Sequence, residues 1–228
     1  MNYKKIKFIG GGRWASILLT ELLANFQEYK IDWYTTNINK CKSTIEEMHY
    51  KRINFANNIN NNNYDKIIIA SNSLNHLTNL KENLEQEIPI LIEKPIFDKV
   101  EEYKKLNQSN RNKIFLNLEY FNKYFIKDFK KEINFRTLKK VDVIWHDPFV
   151  EIRDNSIKYS EGFSSIFQDQ LLHIISILKC LDLSGEKLEI IDLKFSKRSR
   201  RIEIINRLND IKINLSISRF HNKRERKI

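Results

Sequence analysis

The first half of the chain alternates short apolar runs with segments whose apolar residues recur at helical spacing. Residues 66–70 contain a continuous apolar run, which is typical of a strand buried on both faces of a parallel sheet. In residues 13–26 the apolar side chains recur three or four positions apart, as on one face of a helix. The same patterns predict strands at 4–9, 31–35, 53–56, 90–92 and 113–116, and helices at 40–50, 74–84 and 98–107. This alternation indicates an α/β fold with a doubly wound parallel sheet.

The second half has a different pattern. A long apolar helix is predicted at residues 164–181. Strands at hairpin spacing are predicted at 188–195, 201–208 and 211–220, after an earlier strand at 138–145. We therefore predict a second, α+β domain with a mostly antiparallel open sheet over residues 119–228, after a first domain over residues 1–118.

Composition and charge narrow the function classes. With 41% hydrophobic and 30% charged residues, the 228-residue chain is neither disordered nor collagen-like. It has no apolar run of roughly 18 residues to span a membrane and no signal peptide. Its two cysteines, Cys41 and Cys180, make neither a disulfide framework nor a cysteine-based zinc site. We expect a cytoplasmic protein without a membrane partner.

The net charge of +11 is concentrated near the C-terminus. After Leu183 there are thirteen basic and six acidic residues, a net charge of +7. Only two aromatic residues, Phe195 and Phe220, accompany this charge, whereas base stacking on a sheet usually needs more. We therefore predict no nucleic-acid partner; a solvated sheet, a substrate-phosphate site and an interface remain as explanations of the charge.

The first candidate motif is G-x-G-x-x-A, formed by Gly10, Gly12 and Ala15 between a predicted strand and a predicted helix. In a dinucleotide site, the first glycine permits the tight turn and the second lets the backbone approach a pyrophosphate. The small alanine lets the helix pack against the sheet, and the helix N-terminus, which includes Arg13 and Trp14, offers N–H groups to phosphate. A glycine-rich turn without a ligand is the alternative.

The end of the second strand bears on the choice of cofactor. An NAD site has an acidic residue there to hold the ribose hydroxyls, but this chain has Thr35, Thr36 and Asn37. Hydroxyl and amide groups, with Lys40 and Arg13 nearby, suit a 2′-phosphate, so NADP is favoured over NAD. These residues also suit the cap of the next helix.

Two further motifs carry acid–base groups. Glu93-Lys94-Pro95 follows a predicted strand, where a lysine can orient a hydroxyl or stabilise an alkoxide, although alone the tripeptide is common at surfaces. Asp169 and His173 lie four positions apart and share one face of a predicted helix. They form either a proton-transfer pair or a satisfied core histidine with its neighbour. No metal site is predicted, because this pair alone gives an incomplete ligand shell.

In this order, the three motifs resemble one family, the Gfo/Idh/MocA (glucose–fructose oxidoreductase, inositol dehydrogenase, rhizopine catabolism) oxidoreductases. The strand and helix start that contain Ser71, Asn72 and His76 are also similar to that family. The resemblance implies an N-terminal Rossmann domain and an open-sheet second domain. It also implies which residues bind the cofactor: Gly10, Gly12, Arg13, Trp14, Ala15, Thr35, Thr36, Asn37, Ser71, Asn72, His76, Glu93 and Lys94.

By the same resemblance, Lys94, Asp169 and His173 surround the substrate carbon. His173 would exchange the proton, Lys94 would orient the substrate oxygen, and Asp169 would bind a hydroxyl and tune His173. The family usually has glycine where this chain has Leu171, and most members are longer, so this is a short or C-terminally truncated member.

The implied function is NAD(P)-dependent hydride transfer to or from a hydroxyl or carbonyl carbon of a sugar, cyclitol, nucleotide sugar or related polar metabolite. The alternative is a non-catalytic regulatory or accessory protein that binds a nucleotide through the same fold. Family members generally associate through the open sheet, so a homodimer or higher homo-oligomer is expected.

Overall fold

A computed structural model describes residues 3–36, 38–45, 47–56, 63–97, 99–121, 123–153, 156–159, 165–184, 189–195 and 201–228. The chain divides into two compact units, Met1–Asn117 and Leu118–Ile228. Within the described ranges, none of the helices combines the length and apolar character needed to cross a lipid bilayer.

The first unit is built on a six-stranded parallel sheet with the order β3-β2-β1-β4-β5-β6. Its strands are β1 (Lys4–Ile9), β2 (Tyr29–Tyr34), β3 (Ile53–Ala56), β4 (Lys66–Ile69), β5 (Ile90–Glu93) and β6 (Ile114–Asn117). Its α-helices are α1 (Arg13–Asn25), α2 (Ile38–Lys42), α3 (His76–Lys81), α4 (Val100–Lys104) and α5 (Gln108–Lys113), with 3₁₀ turns at Glu47–Arg52 and Ser73–Asn75. This is the predicted doubly wound sheet in the Rossmann strand order.

The apolar runs become strands because both faces of the sheet are covered. Ile67, Ile69, Ile90 and Ile92 are completely buried in one cluster. On the other side, the apolar stripe of α1 packs with β1 and β2 in a second cluster. Burial on both faces explains why these central strands lack polar alternation.

Three predicted helices are shorter than their patterns indicated. The helix expected at 74–84 is the 3₁₀ turn Ser73–Asn75 followed by α3, which ends at Lys81. The helix expected at 40–50 is α2 followed by the separate 3₁₀ turn. The hydroxyls of Ser43 and Thr44 donate to the carbonyl oxygens of Lys40 and Cys41, at 2.8 and 2.7 Å, and compete with the helical ladder. In place of the helix expected at 98–107, the structure has the shorter helix α4, which ends at Lys104. Asn107 caps the next helix, α5, by accepting a hydrogen bond from the backbone N–H of Asn110.

The second unit pairs a five-stranded sheet with helices, as the predicted α+β class requires. Its helices are α6 (Tyr124–Glu132) and α7 (Leu172–Cys180), with one π-helical turn at Phe167–Leu171 before α7. Its strands are β7 (Lys140–Pro148), β8 (Val150–Arg153), β9 (Ser156–Tyr159), β10 (Glu189–Phe195), β11 (Arg201–Leu208), β12 (Ile211–His221) and β13 (Glu225–Lys227).

The sheet order is β10-β11-β12-β7-β13, and every neighbouring pair is antiparallel except β12 with β7. Strands β8 and β9 form a separate antiparallel ribbon. The core lies where Ile174, Ile177 and Leu178 of α7 meet the sheet residues Val143 and Ile217. Leu171, the residue that replaces the family glycine, packs at the margin of this core.

The pattern missed four elements of this unit. Helix α6 is only nine residues long, and it buries only Ile126. Strands β8, β9 and β13 are three or four residues long, too short to show a period. The long helix predicted at 164–181 is, over its described part, the π turn followed by α7.

Candidate functional site

The carboxyl ends of the parallel strands bring the candidate residues of the first unit to one edge. Strand order reverses between β1 and β4, and such a switch point opens a crevice beyond the strand ends. Gly10 directly follows β1, Ser71 follows β4, and Glu93 ends β5. The predicted residues from three distant parts of the sequence therefore share this edge.

The three glycines of the loop have different reasons to be glycine. Gly10 has φ +140°, and a Cβ there would lie 2.3 Å from the carbonyl oxygen of Ala70. A Cβ at Gly11 would lie 2.1 Å from Oγ1 of Thr35. At Gly12, φ is −80°, and apart from its chain neighbours no described atom lies within 4 Å of a Cβ. The fold thus requires the first two glycines and leaves open space at the third.

That open space suits a phosphate. Gly12 is the N-cap of the 13-residue helix α1, and none of the described side chains caps it. The first turn contains no acidic residue that would repel an anion. Ala15 is completely buried against β1 and β2, so its small side chain sets the helix close to the sheet. The residues present fit the pyrophosphate of a dinucleotide, which would meet the helix N-terminus.

Glu93 joins three elements at this edge. Its Oε1 accepts a hydrogen bond from Nε1 of Trp14 at 2.5 Å and another from Nδ2 of Asn117. Burial raises the pKa of the Glu93 carboxyl, while the bonds from Trp14 and Asn117 act in the opposite direction. The carboxylate fixes the start of α1 to the ends of β5 and β6.

His76 joins two loops of the same edge. Its ring is 98% buried, with Nδ1 2.7 Å from the carbonyl oxygen of Pro95 and Nε2 2.9 Å from that of Ser71. Through these contacts the ring holds the turn after β4 beside the turn after β5. Asn72 is the N-cap of the following 3₁₀ turn, and Lys94 precedes Pro95 through a cis peptide bond.

A cleft of about 580 Å³ runs along the start of α1. Arg13 and Lys40 bring basic groups to its lining, and Glu21 brings an acidic one. Thr35 lies beneath the loop, with its Oγ1 3.3 Å from Sγ of Cys41. Thr36 lies at the end of β2, whereas Asn37, also a predicted cofactor residue, lies outside the described residues.

In the second unit, Asp169 lies in the π turn. Its Oδ2 accepts from Nη2 of Arg219 on β12 at 2.9 Å, and Arg219 is itself buried. The same guanidinium nitrogen contacts the carbonyl oxygen of Ser165 at 3.2 Å. A buried cation thus holds the Asp169 carboxylate, a contact that the four-residue spacing to His173 does not reveal.

His173 lies on α7 among aromatic rings. Its ring stacks on Trp145 with centroids 5.6 Å apart and meets Tyr120 edge-on at 5.3 Å. The guanidinium of Arg226 lies 4.2 Å from the centroid of the Trp145 ring and donates to the hydroxyl of Tyr120 at 2.9 Å. It also donates to both carboxylate oxygens of Asp147, at 2.9 and 3.1 Å. The packing fixes the plane of the His173 ring.

Several of these contacts escape sequence reasoning. Tyr120, Arg219 and Arg226 belong to no motif, and each meets partners about 50 or more positions away. One signal was available for Arg219: it continues the series of apolar positions Ile213, Leu215 and Ile217 on β12, where every second side chain faces the core. Burial raises the pKa of the Tyr120 hydroxyl, while Arg226 acts in the opposite direction.

Comparisons with known proteins agree with this fold. Residues 4–115 match the model of an oxidoreductase family with an NAD-binding Rossmann fold, GFO_IDH_MocA. No curated protein sequence matches the chain. A myo-inositol dehydrogenase from Corynebacterium glutamicum is similar in structure, with TM-score 0.69 and 17% identity over 96% of this chain and 69% of its own.

Two further solved structures are similar. A UDP-N-acetylglucosamine 3-dehydrogenase, GnnA, from Acidithiobacillus ferrooxidans has TM-score 0.70 and 14% identity over 99% of this chain and 73% of its own. GenD2 from gentamicin A biosynthesis, solved in complex with NAD, has TM-score 0.73 and 10% identity over 96% of this chain and 66% of its own. Together with the family match, the glycine loop and the strand order lead to one conclusion: residues 4–115 form an NAD-binding Rossmann domain of the Gfo/Idh/MocA oxidoreductase family.

Proposed function

We propose that this chain transfers a hydride between a nicotinamide cofactor and the hydroxyl or carbonyl carbon of a sugar, cyclitol, nucleotide sugar or related polar metabolite. The observation that carries the proposal is the uncapped N-terminus of α1 beside the open space at Gly12, a place for a dinucleotide pyrophosphate. Two of the similar proteins support the substrate class, since one is a dehydrogenase of a cyclitol and the other a dehydrogenase of a nucleotide sugar.

The residues of the first unit would bind and orient the cofactor. When bound, the nicotinamide gives or accepts the hydride. Gly12 and the first turn of α1 hold the pyrophosphate, and Trp14 stays in place through its bond to Glu93. His76 is a positioning residue, because its ring contacts the two main-chain turns that flank the crevice.

NADP is the proposed cofactor rather than NAD. The end of β2 carries Thr35 and Thr36 where an NAD site has an acidic residue. Arg13 and Lys40 line the cleft beside α1, so two cations are available to a 2′-phosphate. We expect Lys40→Ala to weaken NADPH binding and to leave NADH binding almost unchanged; equal losses for both would contradict this preference.

Three side chains are proposed for the chemistry. Lys94 orients the substrate oxygen, and His173 exchanges the proton with it. Asp169 accepts from a substrate hydroxyl, a role that suits a carboxylate paired with Arg219. Stacking on Trp145 keeps the His173 ring in one plane, which favours directional proton transfer.

The proposal is tested by measuring cofactor binding and then substrate turnover. The full chain is titrated with NADPH and NADH by fluorescence, then assayed over polyols, keto sugars and nucleotide sugars. We expect His173→Ala to retain cofactor affinity and to lower kcat by about 10²–10⁴-fold. Lys94→Met is compared with Lys104→Met, an exposed lysine on α4. A chain that binds neither cofactor overturns the proposal, and binding without turnover across the panel favours the nucleotide-binding regulator instead.

We further propose that the enzyme is a homo-oligomer of the cytoplasm. Both cysteines are free thiols, as is usual in a reducing compartment. Strand β10 forms one edge of the second sheet, and its apolar side chains are exposed, which suits association with a second copy.

A further inference from the structure

The second unit contains a cluster of metal-ligand side chains that the proposed oxidoreductase chemistry does not use. His146 on β7, His221 at the end of β12 and Glu225 on β13 bring three ligand atoms within 4.8 Å of one another. Because successive residues of a strand point to opposite faces, His146 lies on the other face of β7 from Trp145, against which His173 stacks. The cluster is therefore separate from the site that contains His173.

Strand pairing places the three side chains together. Glu225 is directly opposite His146 in the antiparallel β7–β13 pair, so their side chains share a face. On the other side of β7, the regular pairing with β12 breaks between Ser218 and His221. This irregularity ends the register, and the rings of His146 and His221 come to lie 4.6 Å apart, inclined by 34°.

The imidazole nitrogens are arranged as in a metal site. His221 Nδ1 lies 3.0 Å from the carbonyl oxygen of Lys223, to which it donates, so the lone pair is at Nε2. His146 Nε2 lies 2.9 Å from the hydroxyl oxygen of Ser216. In metal sites, the non-ligating nitrogen of a histidine is commonly held in this way by a carbonyl or another polar group, which fixes the tautomer.

One imidazole nitrogen, Nδ1 of His146, has no hydrogen-bond partner in the described part of the chain. His146 is 94% buried, and among the described residues its Nδ1 has no hydrogen bond. The nearest acidic atom, Oε2 of Glu225, is 3.8 Å away, which is too far for a hydrogen bond. Two ligands about 2.1 Å from a tetrahedral metal are separated by about 3.4 Å, so small side-chain rotations would let an ion bridge Nδ1 and the carboxylate. Buried polar atoms without partners are rare and call for such an explanation.

The surroundings select the kind of ion. Lys227 binds the other carboxylate oxygen of Glu225 at 2.5 Å and removes part of its negative charge. Arg201 donates to Ser216 at 3.2 Å and adds positive charge nearby. Mg²⁺ and Ca²⁺ need several oxygen ligands, and the described cluster offers only one carboxylate. Imidazoles suit Zn²⁺ and its neighbours in the first transition series.

We propose that His146, His221 and Glu225 bind one divalent transition-metal ion of the Zn²⁺ type, with water in the remaining position. Nδ1 of His146, Nε2 of His221 and Oε2 of Glu225 are the ligands. The ion joins β7, β12 and β13, and it stabilises the short terminal strand β13 on the sheet. Because the ion lies on the face opposite His173, the proposed hydride transfer does not use it.

The test uses the full chain, stripped of metal and free of any histidine tag. Zn²⁺ is titrated by calorimetry, and Co²⁺ serves as the spectroscopic probe, since four-coordinate Co²⁺ absorbs strongly in the visible range. We expect saturation at one ion per chain and a Zn²⁺-dependent rise in the unfolding temperature. His221→Ala and Glu225→Gln should each weaken binding at least about 10-fold. His49→Ala, which changes a histidine of the first unit, is the matched control.

Absence of saturable Zn²⁺ binding overturns the site. So does binding that survives His221→Ala and Glu225→Gln, or that His49→Ala abolishes. Both ligand variants change partly exposed side chains, so a folding failure of the buried His146→Ala would not obscure the result. NADPH affinity is measured in parallel, so a failure of the metal proposal and a failure of the cofactor proposal give different results.

Discussion

At the scale of single residues, the glycine loop separates folding from ligand binding. Gly10 has a backbone conformation that other residues rarely adopt, and its Cβ position overlaps the carbonyl of Ala70. Gly12 has ordinary dihedral angles and open space around it. The fold therefore does not require glycine at position 12, and the proposed pyrophosphate would explain why glycine stands there.

Gly10→Ala and Gly12→Ala should therefore fail differently. We expect Gly10→Ala to lower the free energy of unfolding by more than about 2 kcal/mol, because it combines backbone strain with a clash. Gly12→Ala should change it by less than about 1 kcal/mol and still weaken NADPH binding, because the new methyl group occupies the phosphate position. Urea unfolding and fluorescence titration measure the two quantities. Equal stability losses, or unchanged affinity in Gly12→Ala, would contradict this division.

Lys7 is a second residue with a measurable signature. It is completely buried in β1, donates to Oδ1 of Asn83 at 2.6 Å and lies 5.4 Å from the ring centroid of Tyr34. Burial lowers the pKa of its ammonium group, and Glu82 opposes this. Between that lowered pKa and the ordinary value near 10.5, the unfolded chain binds more protons than the folded one. The Lys7 contribution to stability therefore rises with pH in this window.

Lys7→Met removes this dependence. We expect the unfolding free energy of the wild type, relative to Lys7→Met, to rise from about pH 7 to about pH 9.5 by at most about 1.4 kcal/mol per pH unit. The exposed Lys5→Met on the same strand should follow the wild type. Urea unfolding at both pH values measures the difference, and parallel curves for the wild type and Lys7→Met would exclude a perturbed Lys7.

Residue-level prediction from the sequence succeeded where the cause is local. The glycine loop depends on the strand before it and the helix after it, so its position could be read from neighbouring residues. The bond from Trp14 to Glu93 spans 79 positions and depends on strand order. Both residues were predicted to bind the cofactor, but nothing in the sequence indicated that one holds the other.

At the scale of elements, apolar periodicity predicted the buried strands and missed the short or exposed ones. Strands β4 and β5 are fully buried on one face and partly buried on the other, and they show continuous apolar runs. Strand β13 has only three residues, and side-chain contacts hold it rather than apolar burial. The π turn before α7 has no sequence period of its own, so the pattern could not predict it. This turn places the Asp169 carboxylate within hydrogen-bond distance of Arg219.

Arg226 is the side chain that fastens β13 to the sheet. It donates hydrogen bonds to both carboxylate oxygens of Asp147 and to the hydroxyl of Tyr120, and its guanidinium lies over the ring of Trp145. Lysine keeps the charge, but its single nitrogen cannot replace the two that bond Tyr120 and Asp147, nor the planar group that lies over Trp145. We expect Arg226→Lys to lower the free energy of unfolding by about 1–3 kcal/mol. Urea unfolding measures the loss, with the exposed Arg207→Lys on β11 as control; equal effects of the two variants would count against this role.

At the scale of the whole molecule, the basic excess of the C-terminal region has a partly internal explanation. Arg219 pairs with Asp169, Arg224 with Glu151 and Asp147, and Arg226 again with Asp147. These acidic partners precede Leu183 in the sequence, so the net charge of the residues after Leu183 does not include them. Part of this positive charge therefore forms ion pairs that stabilise the second unit.

The exposed edge of the second sheet gives the last prediction. Leu193 and Phe195 on β10 pair with Ile204 and Ile202, whose side chains are buried, so the apolar face continues to the edge strand. There both side chains are more than 40% exposed. An edge strand of this kind offers backbone groups and apolar area to a second chain.

If a second copy covers this edge, a charge placed on it should separate the copies. Light scattering after gel filtration should give the wild type a mass that is a multiple of 27.4 kDa, and Leu193→Lys a lower one. Ile157→Lys on the β8–β9 ribbon, a still more exposed apolar position, should leave the mass unchanged. A monomeric wild type would refute self-association, and an oligomer insensitive to Leu193→Lys would place the interface elsewhere. Leu193→Lys changes a side chain at the sheet edge and leaves the core of the monomer intact. At high dilution, where both proteins are monomers, the variant should therefore unfold at nearly the same denaturant concentration as the wild type.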